Sequence, residues 1–126
     1  PNLCKNIILA EKKKIVNVWG DGKQMRDFIY IDDCVNAVVK SMDKINDGSP
    51  LNLSTGIFTS FIDFIKTGKK ITGYKFNIKT KKSKPVGVFA RAGSTDKQKK
   101  MGIKSKISLE EGIKKGLDYY QKVKNY

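Results

Sequence analysis

Arg26 and Arg91 are the only arginines among the chain's 26 basic residues. A guanidinium presents a rigid planar fork that grips two phosphate oxygens at once, which the point charge of a lysine does not. Two arginines among so many lysines are therefore candidate phosphate ligands. The plainer alternative is a surface arginine paired with Asp21 or Asp27. Other reactive chemistry is thin. The sequence holds no histidine, which removes the commonest general base and metal ligand. Cys4 and Cys34 are too few and too scattered for a disulfide framework or a zinc site. With no imidazole to activate it, Cys34 reads as a small buried hydrophobe rather than a nucleophile. No glycine-rich G-x-G-x-x-G turn occurs, so nothing in the chain is built to seat a dinucleotide pyrophosphate on a helix N-terminus. No catalytic, cofactor-binding or metal-ligating residue is assigned.

The elements that must hold the arginines follow from local pattern. Gly20-Asp21-Gly22 is a tight turn, since glycine enters positive φ without a Cβ clash. Phe28-Ile29-Tyr30-Ile31 is a β-rich run, and Asp32 and Asp33 follow where a helix begins and a carboxylate can accept free amides. Ahead of the turn, Leu3, Cys4, Ile7, Ile8 and Ala10 give a helix over 1–14 a partial apolar face. Ile15–Trp19 is a strand with Ile15, Asn17 and Trp19 on one face and Val16 and Val18 on the other. Trp19, the single tryptophan, reads either as core or as part of a ligand pocket.

Further on, a helix over 32–45 carries Val35, Val38, Val39 and Met42 as one stripe, predicted to face the core. Residues 46–50 break it. Leu51–Ser54 is predicted as a strand. A helix opens at Thr59 or Ser60, uses Phe61, Ile62, Phe64 and Ile65, and stops at Gly68 or Gly73. Phe76 and Ile78 mark a strand, 79–84 a charged loop, and 95–103 a short helix. Ser108 with Glu111 forms a capping box for a last helix whose apolar face is Leu109, Ile113, Leu117 and Tyr120. The sum is an α/β chain, a small mixed domain of short strands and about four to five helices.

Residues 18–33, V-W-G-D-G-K-Q-M-R-D-F-I-Y-I-D-D, resemble the W-G-D-G-x-Q-x-R-D-F-I-Y-V-D-D signature of nucleotide-sugar epimerases and dehydratases, the extended short-chain dehydrogenase/reductase family. Leu51–Gly56, Lys84–Arg91, 95–103 and I-S-L-E-E-G-I at 107–113 resemble further family elements in order, so the likeness runs from Ile15 to Tyr120. Val86, Phe89 and Ser94 depart from the Asp, Pro and Asp usual there. The K-P-x-G and I-S-L-E-E-G-I elements look most like the GDP-fucose synthase-like branch.

The resemblance implies the C-terminal part of a Rossmann-type epimerase. Residues 1–126 would be the substrate-binding domain, with the NAD(P)-binding Rossmann domain outside this chain. Arg26 and Arg91 would hold the nucleotide diphosphate of a nucleotide sugar, beside Val18, Trp19 and Lys84. NAD or NADP would serve the full-length enzyme, with none expected in this chain, which alone would be inactive; a homodimer of the full-length protein is left open. Tyr120 and Lys124 match the family's Tyr-x-x-x-Lys spacing, but they fall in the last turn, beyond the element that should end the domain, and carry no catalytic role.

Length and charge set the remaining bounds. At 126 residues the chain forms one domain. It starts at Pro1 without Met, as a processed product or fragment would. It has neither an apolar run long enough to span a membrane nor a signal-peptide pattern, and reads as cytoplasmic. The net charge of +14, concentrated between Lys66 and Lys106, attracts phosphates from nucleotides to RNA; a surface that drifted toward lysine is the plainer and favoured explanation. A standalone basic nucleic-acid module and a non-catalytic truncated homologue are the competing classes. No RNA-binding signature or interleaved aromatic platform supports the first.

Overall fold

In the computed structural model, which describes residues 2–123, the chain runs α1 (Asn2–Lys13), β1 (Ile15–Trp19), β2 (Met25–Asp27), α2 (Ile31–Met42), β3 (Phe58–Ser60), α3 (Phe61–Thr72), β4 (Asn77–Lys81), β5 (Ala90–Arg91), α4 (Asp96–Lys100) and α5 (Leu109–Lys122). This is the expected small mixed α/β arrangement. The alternation of β1 sends Val16 and Val18 inward, where they meet Cys4, Ile7 and Ala10 of α1, Phe64 and Ile65 of α3, Ile113 and Leu117 of α5, and Phe76. β1 pairs in parallel with β4, and a second sheet has the order β3-β2-β5. Ser60 caps α3 by accepting from the Asp63 amide, and Gly73 closes that helix in the left-handed conformation. Ser108 caps α5 by accepting from the Glu111 amide. No helix among the described residues is long and apolar enough to cross a membrane. Lys124, and with it the Tyr120–Lys124 pairing, lies outside the described residues.

Several expected elements differ, for identifiable reasons. The strand near Arg26 is Met25–Asp27 rather than 28–31. Phe28 leaves the sheet to pack on the rings of Phe61 and Phe64, and Ile31 already belongs to α2. Leu51–Ser54 is not a strand. The buried Gln98 carboxamide takes both backbone groups of Ser54, accepting from its amide at 3.0 Å and donating to its carbonyl at 2.7 Å. One side chain thus satisfies what a neighbouring strand would have satisfied. The charged run at 79–84 is a loop only in its second half, because β4 extends to Lys81.

The largest correction concerns α2. Asp33 and Ala37 are its buried residues, and Asp33 accepts the amides of Lys106 and Ile107, both at 2.9 Å. That anchor settles which side faces inward. At about 100° per residue, Val35, Val38, Val39 and Met42 fall on the opposite side, and they are exposed, Val38 at 47% and Met42 at 71%. An apolar stripe this contiguous is a binding surface. The chain alone should therefore self-associate, and the pair Val38→Lys with Met42→Lys should shift it to monomer. Substitutions at such exposed sites usually change stability by no more than about 0.5 kcal/mol. Sedimentation velocity and urea unfolding of both forms check this. A wild-type chain that stays monomeric at high concentration would refute it.

Candidate diphosphate site

β2 and β5 bring the two arginines together. They pair in parallel with Met25 opposite Ala90 and Arg26 opposite Arg91, and residues in register on adjacent strands share a face of the sheet. Arg26 is half-buried. Its Nη1 donates to the carbonyls of Met25 at 2.6 Å and Val88 at 3.0 Å, and its guanidinium carbon lies 5.5 Å from the centre of the Phe61 ring. A guanidinium has five N–H donors; the two on Nη1 are committed, which leaves Nε and Nη2 available. Arg91 is exposed.

The acidic partners considered for Arg26 are engaged elsewhere. Asp21 accepts from the Lys23 amide at 2.9 Å. Asp27 accepts four hydrogen bonds: from Ser54 Oγ at 2.5 Å, the Thr55 amide at 3.0 Å, Thr55 Oγ1 at 2.6 Å and the Gly56 amide at 2.7 Å. Partial burial pushes its carboxyl upward, but the bonds from Ser54, Thr55 and Gly56 outweigh that and hold it below the ordinary carboxylate value. Its position in the sequence shows only an acid beside Arg26; nothing there reveals that it ties β2 to residues 54–56.

A cleft of about 520 Å3 opens beside Arg26, lined by Val18, Trp19, Gln24, Phe61, the Pro85–Gly87 loop and the first turns of α1. Trp19 is 59% exposed, because the alternation that buries Val18 turns it outward. It is therefore not core. The cleft gathers Val18, Trp19 and Arg26 of the expected site. Arg91 stands outside its lining but next to Arg26 in register. Lys84 is exposed, its amide closing a turn to the Lys81 carbonyl at 3.0 Å, and does not line the cleft.

The loop carrying Pro85 and Val86 sits where it does because of Gly20. That residue has φ +70, and a Cβ on it would lie 2.1 Å from Val86 Cγ1. Only a glycine both adopts that backbone and leaves room for the valine. The Met25 amide then donates to the Phe89 carbonyl at 2.7 Å, handing the loop on to β5. Gln24, a residue the sequence did not single out, lies beneath this junction at 5% exposure.

The chain is similar to known proteins along nearly its whole length. Residues 1–54 match the model of the NAD dependent epimerase/dehydratase family. GDP-L-colitose synthase of Yersinia pseudotuberculosis is 30% identical over 129 aligned residues, covering 99% of this chain and 42% of the relative. The UDP-glucose 4-epimerase of Thermotoga maritima, solved with UDP-glucose, superposes with a TM-score of 0.85 at 31% identity, over 97% of this chain and 38% of that one. A GDP-mannoheptose C4 reductase of Campylobacter jejuni, solved with NADP, superposes at 0.79 with 27% identity, over 97% and 44%. The chain thus spans about two fifths of the length of these proteins.

Proposed function

We propose that this chain, which belongs to the NAD-dependent epimerase/dehydratase family of extended short-chain dehydrogenases/reductases, is the C-terminal, substrate-binding portion of a nucleotide-sugar epimerase, dehydratase or reductase. The observation that carries the reading is the register of β2 on β5, which sets Arg26 directly opposite Arg91 at the edge of the Trp19 cleft. Two guanidinium groups on one face suit the two phosphates of a nucleoside diphosphate. Trp19, exposed at the rim, offers a face to the nucleobase. NAD or NADP, and the residues that act on the sugar, belong to a Rossmann domain outside these 126 residues. The exposed α2 stripe is a natural surface for that domain.

One observation favours a second reading, a nucleic-acid surface. The parallel register of β1 and β4 puts Lys81 opposite Trp19 and Lys79 opposite Asn17, a cation–aromatic grouping that single-stranded nucleic acid also uses. A titration that follows Trp19 fluorescence separates the two. The chain should bind UDP or GDP with no preference for RNA, and it should leave NADH fluorescence unchanged. RNA binding tighter than the nucleotide, with a steep salt dependence, would replace the first reading with the second.

A further inference from the structure

Gln24 Oε1 is buried without a hydrogen-bond partner. The residue is 5% exposed and lines two adjoining openings, the Trp19–Arg26 cleft and a smaller one of about 300 Å3 beside Asp21, Lys82 and Phe89. Its Nε2 donates to the Trp19 carbonyl in a long contact of 3.5 Å, which a carbonyl, an acceptor only, makes with the NH2 end of the amide. Gly20 leaves room for the amide: a Cβ on that residue would come within 2.7 Å of Nε2. Oε1 is therefore a buried acceptor left without a donor on a residue that borders both openings. A buried polar atom left unsatisfied costs free energy that a native fold rarely retains without a use.

We propose that Gln24 is a nucleoside-reading residue. Its Oε1 accepts a hydrogen bond from a neutral donor of the bound nucleotide, a ribose hydroxyl or a base N–H, while Arg26 two residues on holds the phosphates. The proposal rests on the nucleoside diphosphate reading above and extends it to specificity. Phosphate oxygens cannot fill this role, because Oε1 accepts and they have no hydrogen to give at neutral pH. A site built around such an acceptor discriminates against ligands that lack the donor.

The test uses Gln24→Met, which keeps length and shape but removes the acceptor. Wild type and variant are titrated by Trp19 fluorescence with UDP and GDP, and with their 2′-deoxy, 3′-deoxy and base-N-methylated forms. The variant should bind the parent nucleotides about tenfold more weakly, the size of one hydrogen bond to a buried acceptor. It should show no such loss for the one analogue whose missing donor is the one Gln24 reads, and that analogue tells ribose from base. In the absence of ligand, Gln24→Met should melt close to wild type, since it removes an unpartnered Oε1 and only one long bond, from Nε2 to the Trp19 carbonyl.

Equal affinity of wild type and variant for every nucleotide, with Arg26→Ala still weakening all of them, overturns the proposal alone; Oε1 would then be served by water. A lower melting temperature with the same proportional loss for every analogue also overturns it, by making Gln24 a folding residue. If Arg26→Ala changes nothing either, the diphosphate reading falls first and takes this inference with it.

Discussion

Asp27→Ala should destabilise the chain by about 2–4 kcal/mol. The estimate starts from the roughly 1.5–3 kcal/mol of a hydrogen bond to a charged group, held low because the four bonds act as one unit on a half-exposed carboxylate. The four donors come from Ser54, Thr55 and Gly56, two of them backbone amides that the substitution leaves unpaired. Asp27→Asn should recover little, because its amide NH2 would point a donor at donors.

The effect should depend on pH with a definite sign. Asp27's folded pKa lies below its ordinary value. Its contribution is therefore complete above the unfolded carboxylate value of about 3.9 and is lost as pH falls through the folded one. Urea unfolding at neutral pH and in acid checks both points. The gap between wild type and Asp27→Asn should close on acidification; a gap of the same size at both ends would mean that the network does not hold an ionised carboxylate.

Arg26→Ala should weaken nucleoside diphosphate binding about ten- to a hundredfold, the cost of roughly 1.5–3 kcal/mol for a charge-assisted contact. Arg26→Lys should restore only part of it, because an ammonium keeps the charge and loses the fork. Arg91→Ala should cost less, since Arg91 is opposite Arg26 in register but does not line the cleft. Lys79→Ala and Lys81→Ala are the decisive controls because Lys81 stands opposite Trp19 and Lys79 opposite Asn17 in the β1–β4 register. They should cost almost nothing if the site reads a diphosphate. Arg26 also holds the Val88 carbonyl, so circular dichroism must accompany the titration to show that the loop survives. Equal small losses at Arg26, Lys79 and Lys81 would sink the diphosphate site.

What could be read from the sequence was local. Ser60 and Ser108 are caps with an acidic residue three positions on, and the alternation of Ile15–Trp19 assigned both faces of β1 correctly. Gly20 and Gly22 are at positive φ as the turn required. What escaped was set by partners distant in sequence. The stripe on α2 has helical spacing whichever way the helix faces. Only the capture of Asp33 by the amides of Lys106 and Ile107 turns it outward. Leu51–Ser54 has strand composition, and a single glutamine from α4 takes the place of its neighbour. The arginines were legible as candidates from their rarity and from the family signature around them. That they stand opposite each other was not, because the register of a two-residue strand such as β5 leaves no pattern of its own. Gln24 matches the fixed Gln of the family signature, but nothing in the sequence says what it does: an unpaired atom can be recognised only once its surroundings exist.

The Arg26–Arg91 pairing has a consequence for the order of events at the site. Like charges directly opposite on neighbouring strands push them apart, and β5 is held by only two registered positions. If the pair holds a diphosphate as proposed, an arriving dianion would turn that repulsion into a bridge. Occupancy and the seating of residues 84–91 on β2 would then be two faces of one equilibrium, and mobile anions in the solvent would tighten the segment by screening it while competing for the place of the nucleotide.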